Sequence, residues 1–147
     1  MQIKVDDLSG PEIAGLLEQH VANMYTISPP ESVHALPLDQ LRESNITFWS
    51  VWENGELLGC GALKHLDSQH GEIKSMRTAP QALGRGVGRK ILHHIVAGAR
   101  SRAYRRLSLE TGSTKPFAAA LREGFVPCGP FGEYENTPFT RFFTREL

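Results

Sequence analysis

Gln81-Ala82-Leu83-Gly84-Arg85-Gly86-Val87-Gly88-Arg89-Lys90 is a glycine-rich turn that runs directly into an amphipathic helix. From Val87 onward the apolar residues are Val87, Ile91, Leu92, Ile95, Val96 and Ala99. At about 100° per residue they fall on one half of a helical wheel, with Arg89, Lys90, His93, Arg100 and Ser101 on the other. The pattern predicts a helix that begins near Gly84 or Gly86 and buries one face. Three glycines and two arginines are a poor start for a helix on stability grounds, since each glycine costs roughly 1 kcal/mol relative to alanine. A bare backbone at that point has a use, however. The unpaired N–H groups of a first turn, together with the helix dipole, attract anions and above all phosphate. The stretch reads as a pyrophosphate cradle.

Three phosphate-binding designs compete for it. A Walker loop ends in Gly-Lys-Ser/Thr, and Gly88-Arg89-Lys90-Ile91 lacks the hydroxyl that holds magnesium. A dinucleotide fingerprint would put its last small residue at Arg89 and would follow tightly on a strand, whereas Thr78-Ala79-Pro80-Gln81-Ala82-Leu83 intervenes. The third design is a Gln/Arg-x-x-Gly-x-Gly/Ala motif, met by Gln81, Gly84 and Gly86, with Gly88 two further on. In this motif the chain resembles the GNAT N-acetyltransferases.

Composition bounds the rest. With 147 residues, 40% of them apolar, the expectation is one domain, 1–147, with a proper core. Sixteen basic and sixteen acidic residues leave no net charge, so neither a nucleic-acid nor a membrane role has its usual electrostatic footprint. The start, Met1-Gln2-Ile3-Lys4-Val5-Asp6-Asp7, does not read as a signal peptide, and no apolar run has the length of a bilayer span. Cys60 and Cys128 are too few for a disulfide scaffold and suit reduced, buried thiols in a cytoplasmic protein. His93 and His94 diverge by about 100° on a helix, and His65 and His70 have no partner set at zinc spacing, so no metal is expected.

Along the chain, Gln2–Asp6 alternates as a strand. Ser9 precedes Pro11 and Glu12 as a cap for a helix through about Asn23. A proline-rich loop and a short helical turn at Asp39–Glu43 follow. Ile46–Trp52 and Leu57–Leu66 are strands joined at Asn54-Gly55, a hairpin signal because both residues tolerate positive φ. Gly71–Thr78 is a third consecutive strand. After the cradle helix come a strand at Arg106–Glu110, a short helix at Thr114–Arg122 ended by Gly124, and closing strands at Phe125–Phe131 and Phe139–Thr144. This order predicts an α+β domain with a mixed, mostly antiparallel sheet flanked by helices and one right-handed parallel crossover around Gly84.

From end to end that order resembles the GNAT fold. A narrower likeness lies in Ser28-Pro29-Pro30-Glu31-Ser32-Val33-His34-Ala35-Leu36, Gly71-Glu72-Ile73-Lys74-Ser75-Met76-Arg77-Thr78 and Cys128-Gly129-Pro130-Phe131-Gly132-Glu133-Tyr134. These are similar to a bacterial subfamily sometimes called indole-acetate acetyltransferase-like. The resemblance implies acetyl-CoA as cofactor. Met76, Arg77 and Thr78 would pair with its pantetheine through their backbones, in a gap between the fourth and fifth strands. Gln81, Gly84, Arg85, Gly86, Val87, Gly88 and Arg89 would hold the pyrophosphate, mostly through backbone N–H groups, and the N–H near Met76 would stabilise the oxyanion.

The reaction implied is direct attack of a primary amine, from a small molecule or a protein, on the acetyl thioester. Glu72 is the expected base, acting through water, and Glu110 is a second candidate; otherwise Glu72 is a strand charge paired with Lys74 or Lys64. The family's tyrosine, four residues ahead of the Gly124-Phe125 pair, is replaced here by Ala120. Tyr134 stands in as thiolate acid if the closing hairpin folds over the site, and is otherwise a packing residue. Glu31 and His34, in the loop after the first helix, are candidates for acceptor binding. An alternative is a catalytically weak domain that binds acetyl-CoA and regulates a partner. Exposed strand edges would allow a homodimer.

Overall fold

The computed structural model describes residues 1–27, 29–30, 38–112 and 118–147, and for Ile27, Gly112, Ala118 and Ala119 the backbone alone. Glu31 and His34 lie outside the described residues.

The chain runs β1 (Gln2–Val5), α1 (Pro11–Ile27), α2 (Leu38–Leu41), β2 (Ile46–Glu53), β3 (Glu56–Asp67), β4 (His70–Thr78), a 3-10 turn at Pro80–Ala82, α3 (Val87–Ser101), β5 (Arg106–Gly112), α4 (Ala118–Arg122), β6 (Val126–Cys128) and β7 (Thr140–Glu146). The strands form one seven-stranded sheet in the order β1-β2-β3-β4-β5-β7-β6. Every pairing is antiparallel except β4 with β5, which is parallel and bridged by α3. The expected α+β architecture with its one crossover is therefore present.

Local chemistry accounts for most of these elements. Asn54 and Gly55 take φ of 51° and 77°, the left-handed pair that closes a two-residue hairpin between β2 and β3. Helix α3 buries the stripe read from its periodicity, with Val87, Ile91, Leu92, Ile95, Val96 and Ala99 all buried. It lies close on the sheet because β3 offers no side chain where it crosses. A Cβ on Gly59 would sit 2.8 Å from both the Arg77 carbonyl oxygen and Val87 Cγ1, and one on Gly61 would sit 2.7 Å from Ile91 Cγ2. The two glycines share a face by strand alternation, and that face belongs to α3.

Several boundaries depart from the sequence expectations, among them both ends of α1 and the extent of β6. Helix α1 starts at Pro11, with the Gly10 carbonyl accepting from Ala14 N–H, while the Ser9 hydroxyl donates to Asp7 at 2.6 Å instead of capping the helix. It also continues four residues past Asn23. Strand β6 is only three residues long, because the chain after Cys128 leaves the sheet through Pro130 and turns the Phe131 ring onto Phe142 of β7, with centroids 5.8 Å apart. A proline within β6 itself, Pro127, is tolerated because that strand lies at the edge. No helix among the described residues is long and apolar enough to cross a membrane.

Candidate active site

The site begins with a defect in the sheet. Strands β4 and β5 are in register only from His70↔Arg106 to Ile73↔Leu109, although β4 runs on to Thr78 and β5 to Gly112. On its other edge β4 shifts register: Lys74 opposes Ala62, whereas Arg77 opposes Cys60. Ser75 and Met76 thus stand against Gly61 alone, and Ser75 adopts φ of 55°. This is a β-bulge, and a bulge bends its strand and leaves ladder groups unpaired. Beyond Ile73 the two parallel strands splay, and backbone amides of Met76, Arg77 and Thr78 border the gap. The Ser75 carbonyl accepts from the Cys60 thiol at 3.3 Å. Burial pushes that thiol up to about 12, so it stays protonated and inert.

The second component is the start of α3. Gly86 is its N-cap, with φ of 79° and no side-chain cap, and Gly84 has φ of 77°. A Cβ on either would meet nothing within 4 Å, and one on Gly88 would meet only Thr78 Oγ1 at 3.6 Å. The free N–H groups of the first turn therefore open onto empty space beside the β4 gap, which is the form an anion cradle requires. The two arginines do not aim there. Arg85 forms an ion pair with Glu53, and Arg89 Nε reaches Glu123 at 3.1 Å, where His93 also bonds. The Glu53 and Glu123 carboxyls are held below the usual carboxylate range by their bonds to Arg85 and His93 respectively. Their charges offset those of the arginines, so the cradle is chiefly backbone. The Gln81 amide donates to the Leu57 carbonyl at 3.4 Å and joins the turn to β3.

The third component is a buried polar triangle beside the gap. Glu72 is 2% exposed. Its Oε2 accepts from the Tyr134 hydroxyl at 2.5 Å and from Lys74 Nζ at 3.2 Å, and Lys74 Nζ also donates to the Tyr134 oxygen at 2.6 Å. Alternation along β4 brings Glu72 and Lys74 to one face. The loop between β6 and β7 then lays Tyr134 across them, its ring against Phe131 and Phe142. Burial, and next the Glu72 charge, hold the Tyr134 phenol well above its ordinary range, so it stays protonated. Glu110, half-buried and opposite Phe142 on β7, adds to that upward push.

Glu72, Glu110 and Tyr134 are thus brought together, while Ala120 is buried within α4 and supplies no hydroxyl. Reading the sequence did not single out Lys74 as a site residue, nor the glycine pair Gly59 and Gly61, nor the Ser75 bulge. Gly59-x-Gly61 inside a strand was the available signal for close helix packing. Among the described residues no group of three His, Cys, Asp or Glu side chains could hold a metal ion.

A model of the acetyltransferase (GNAT) family matches residues 15–123, which span the splay, the cradle and α4. This chain belongs to the GNAT family. An uncharacterized N-acetyltransferase of Bacillus subtilis, YsnE, is 50% identical over 151 aligned positions, covering 100% of both chains. An IAA acetyltransferase of Azospirillum brasilense is 35% identical over 135 positions, covering 89% of this chain and 86% of its own. Among solved structures, a Klebsiella pneumoniae protein assigned to the acyl-CoA N-acyltransferases superposes with a TM-score of 0.81 at 28% identity, covering 99% of this chain and 97% of the other. A GNAT acetyltransferase of Elizabethkingia anophelis with acetyl-CoA bound superposes at 0.71 and 20% identity, covering 99% and 97%. The protein is an acetyl-CoA-dependent N-acetyltransferase, and amines are the substrates of its family. The open first turn of α3 and the splayed β4 edge fit that cofactor.

Proposed function

We propose that this GNAT enzyme acetylates a primary amine with Glu72 and Tyr134 as its proton-handling pair, oriented by Lys74. The single observation that carries this reading is the triangle itself, in which a buried carboxylate and a protonated phenol share a 2.5 Å hydrogen bond beside the β4 gap. Acetyl-CoA supplies the thioester that the amine attacks, held by the backbones of Met76, Arg77 and Thr78 and by the Gln81–Arg89 turn. Glu72 accepts the proton that the amine loses, through a water because the carboxylate is buried. The Tyr134 hydroxyl donates its proton to the departing thiolate and recovers one from protonated Glu72 along their shared bond. One proton leaves nitrogen and one arrives at sulfur, so the pair returns to its starting state. Lys74 fixes both oxygens and balances the Glu72 charge. Glu110 supports the protonated state of Tyr134 through its charge. In this reading Tyr134 takes the task that Ala120 cannot perform.

The free thiols Cys60 and Cys128 favour a reducing cytoplasm, and the edge strands β1 and β6 offer a route to a homodimer. The acceptor is a small-molecule or protein amine. Steady-state kinetics of Glu72→Gln and Tyr134→Phe with acetyl-CoA and an amine panel test the reading. Both should lose turnover while acetyl-CoA affinity holds, and undiminished turnover in either removes that residue from the pair.

A further inference from the structure

We propose that Arg77 is the anion receptor of the acceptor site, and that the acceptor is therefore a primary amine bearing a carboxylate, as an amino acid does. The inference rests on the acetyl-transfer site assigned to Glu72 and Tyr134, and it begins with the bulge. Along β4, Glu72 opposes Lys64, Lys74 opposes Ala62 and Arg77 opposes Cys60. Positions 60, 62 and 64 of β3 share one face, and directly opposed residues point to the same side of a sheet. Glu72, Lys74 and Arg77 therefore stand in one row. Without the extra residue at Ser75, the odd-numbered Arg77 would side with Ile73, toward the face that Gly59 and Gly61 leave to α3. The bulge that opens the cofactor gap also turns Arg77 onto the face of the catalytic pair.

The guanidinium is charged at every accessible pH and offers five donors in a planar fork. Yet Arg77 Nε is buried and makes no hydrogen bond, and Arg77 forms no ion pair with any described residue. A buried donor without an acceptor is costly and calls for a partner. Among the described residues the carboxylates on this side are already engaged, Glu110 included. Asp6 accepts from the Ser50 hydroxyl at 2.6 Å and from Leu8 N–H at 2.8 Å, and Glu72 accepts from Lys74 and Tyr134. A planar anion brought by the substrate would complete Arg77, and a carboxylate matches its fork. The spacing agrees. Glu72 and Arg77 are separated by the four residues from Lys64 to Cys60 on the partner strand, about 13 Å of backbone. The long Arg77 side chain, the water on Glu72 and a small amino acid together bridge that span.

The test measures kcat/KM with acetyl-CoA for three sets of acceptors: the standard amino acids, their α-carboxamides, and the ω-amino acids β-alanine and γ-aminobutyrate. The wild-type enzyme should prefer its best carboxylate acceptor over the matching carboxamide by at least about tenfold, the loss expected when a buried ion-pairing group is left unmet. Arg77→Gln should raise KM for the carboxylate and collapse that ratio toward one, and Arg77→Lys should restore part of it. A general effect of the substitution on rate divides out of the ratio. Preference for α- over ω-acids identifies which carboxylate is read. A wild-type ratio near one, a ratio kept in Arg77→Gln, or acetylation confined to amines without a carboxylate overturns the proposal. Glu72→Gln separates the two readings, because it should lower turnover with acids and amides alike and leave their ratio intact. Loss of the ratio in Arg77→Gln with full activity in Glu72→Gln would sustain Arg77 and remove Glu72.

Discussion

Tyr134 donates its hydroxyl proton to Glu72 Oε2 at 2.5 Å, across 62 positions of sequence. One residue lies in the middle of a parallel-paired strand and the other in an irregular loop. Their meeting makes a tyrosine outside any helix available to a carboxylate that the sheet alone would leave with Lys74.

Replacing Glu72 with Gln should cut turnover by about a hundredfold or more, in the range expected for loss of a general base. The rise of rate with pH should flatten, and calorimetric titration should show acetyl-CoA affinity close to wild type. Glu72→Ala should also destabilise the fold by about 3 kcal/mol, because Lys74, 8% exposed at its side chain, would keep a buried charge with no acceptor at position 72, whereas Glu72→Gln retains an amide oxygen there. Urea unfolding distinguishes the two variants.

Tyr134 carries a signature of its own at alkaline pH. Its phenol is held above the unfolded value of 10.0, so its contribution to stability is complete below pH 10 and is lost as pH rises through the higher folded value. The wild-type protein should therefore lose stability above pH 10 with an extra slope of about 1.4 kcal/mol per pH unit that Tyr134→Phe lacks. Turnover of the wild type should show no decline attributable to this phenol below that pH.

The glycines of the cradle and those of the strand should fail differently. Gly86→Val places a branched residue at φ of 79° with no protein atom within 4 Å of its Cβ, so it should cost about 1–2 kcal/mol of stability and abolish measurable acetyl-CoA binding. Gly59→Ala drives a Cβ to 2.8 Å from the Arg77 carbonyl and from Val87, and should cost about 1–3 kcal/mol in folding by wedging α3 from the sheet. Arg85→Ala and Arg89→Ala should weaken binding less than Gly86→Val, since their guanidinium groups already face Glu53 and Glu123. Thermal melts with and without acetyl-CoA separate these outcomes.

Cys60 should resist alkylation in the native state. It is fully buried, its thiol donates to Ser75, and burial holds it protonated up to about 12. Mass spectrometry after iodoacetamide treatment at pH 8 should show Cys60 modified only once the protein is denatured.

What the sequence determined by itself was whatever depends on near neighbours. The period of the α3 stripe, the paired positive φ of Asn54 and Gly55, and a glycine turn that bares a helix N-terminus are all written within a few residues. They sufficed for the element order, the crossover and the uncapped first turn of α3. Glu72 was also legible, as a carboxylate on a strand beside that cradle. The tertiary structure decided which groups those elements bring together. A one-residue bulge at Ser75 sets which face Arg77 occupies, and no local propensity signals that a serine will take φ of 55°. Glu53 and Glu123 claim the two arginines of the turn from distant strands and helices. Tyr134 reaches Glu72 because Phe131 packs on Phe142 and the loop folds back over β4 and β5. Register, bulges and loop closure are set by the sum of contacts between segments far apart in sequence, and that sum exists only in the folded chain.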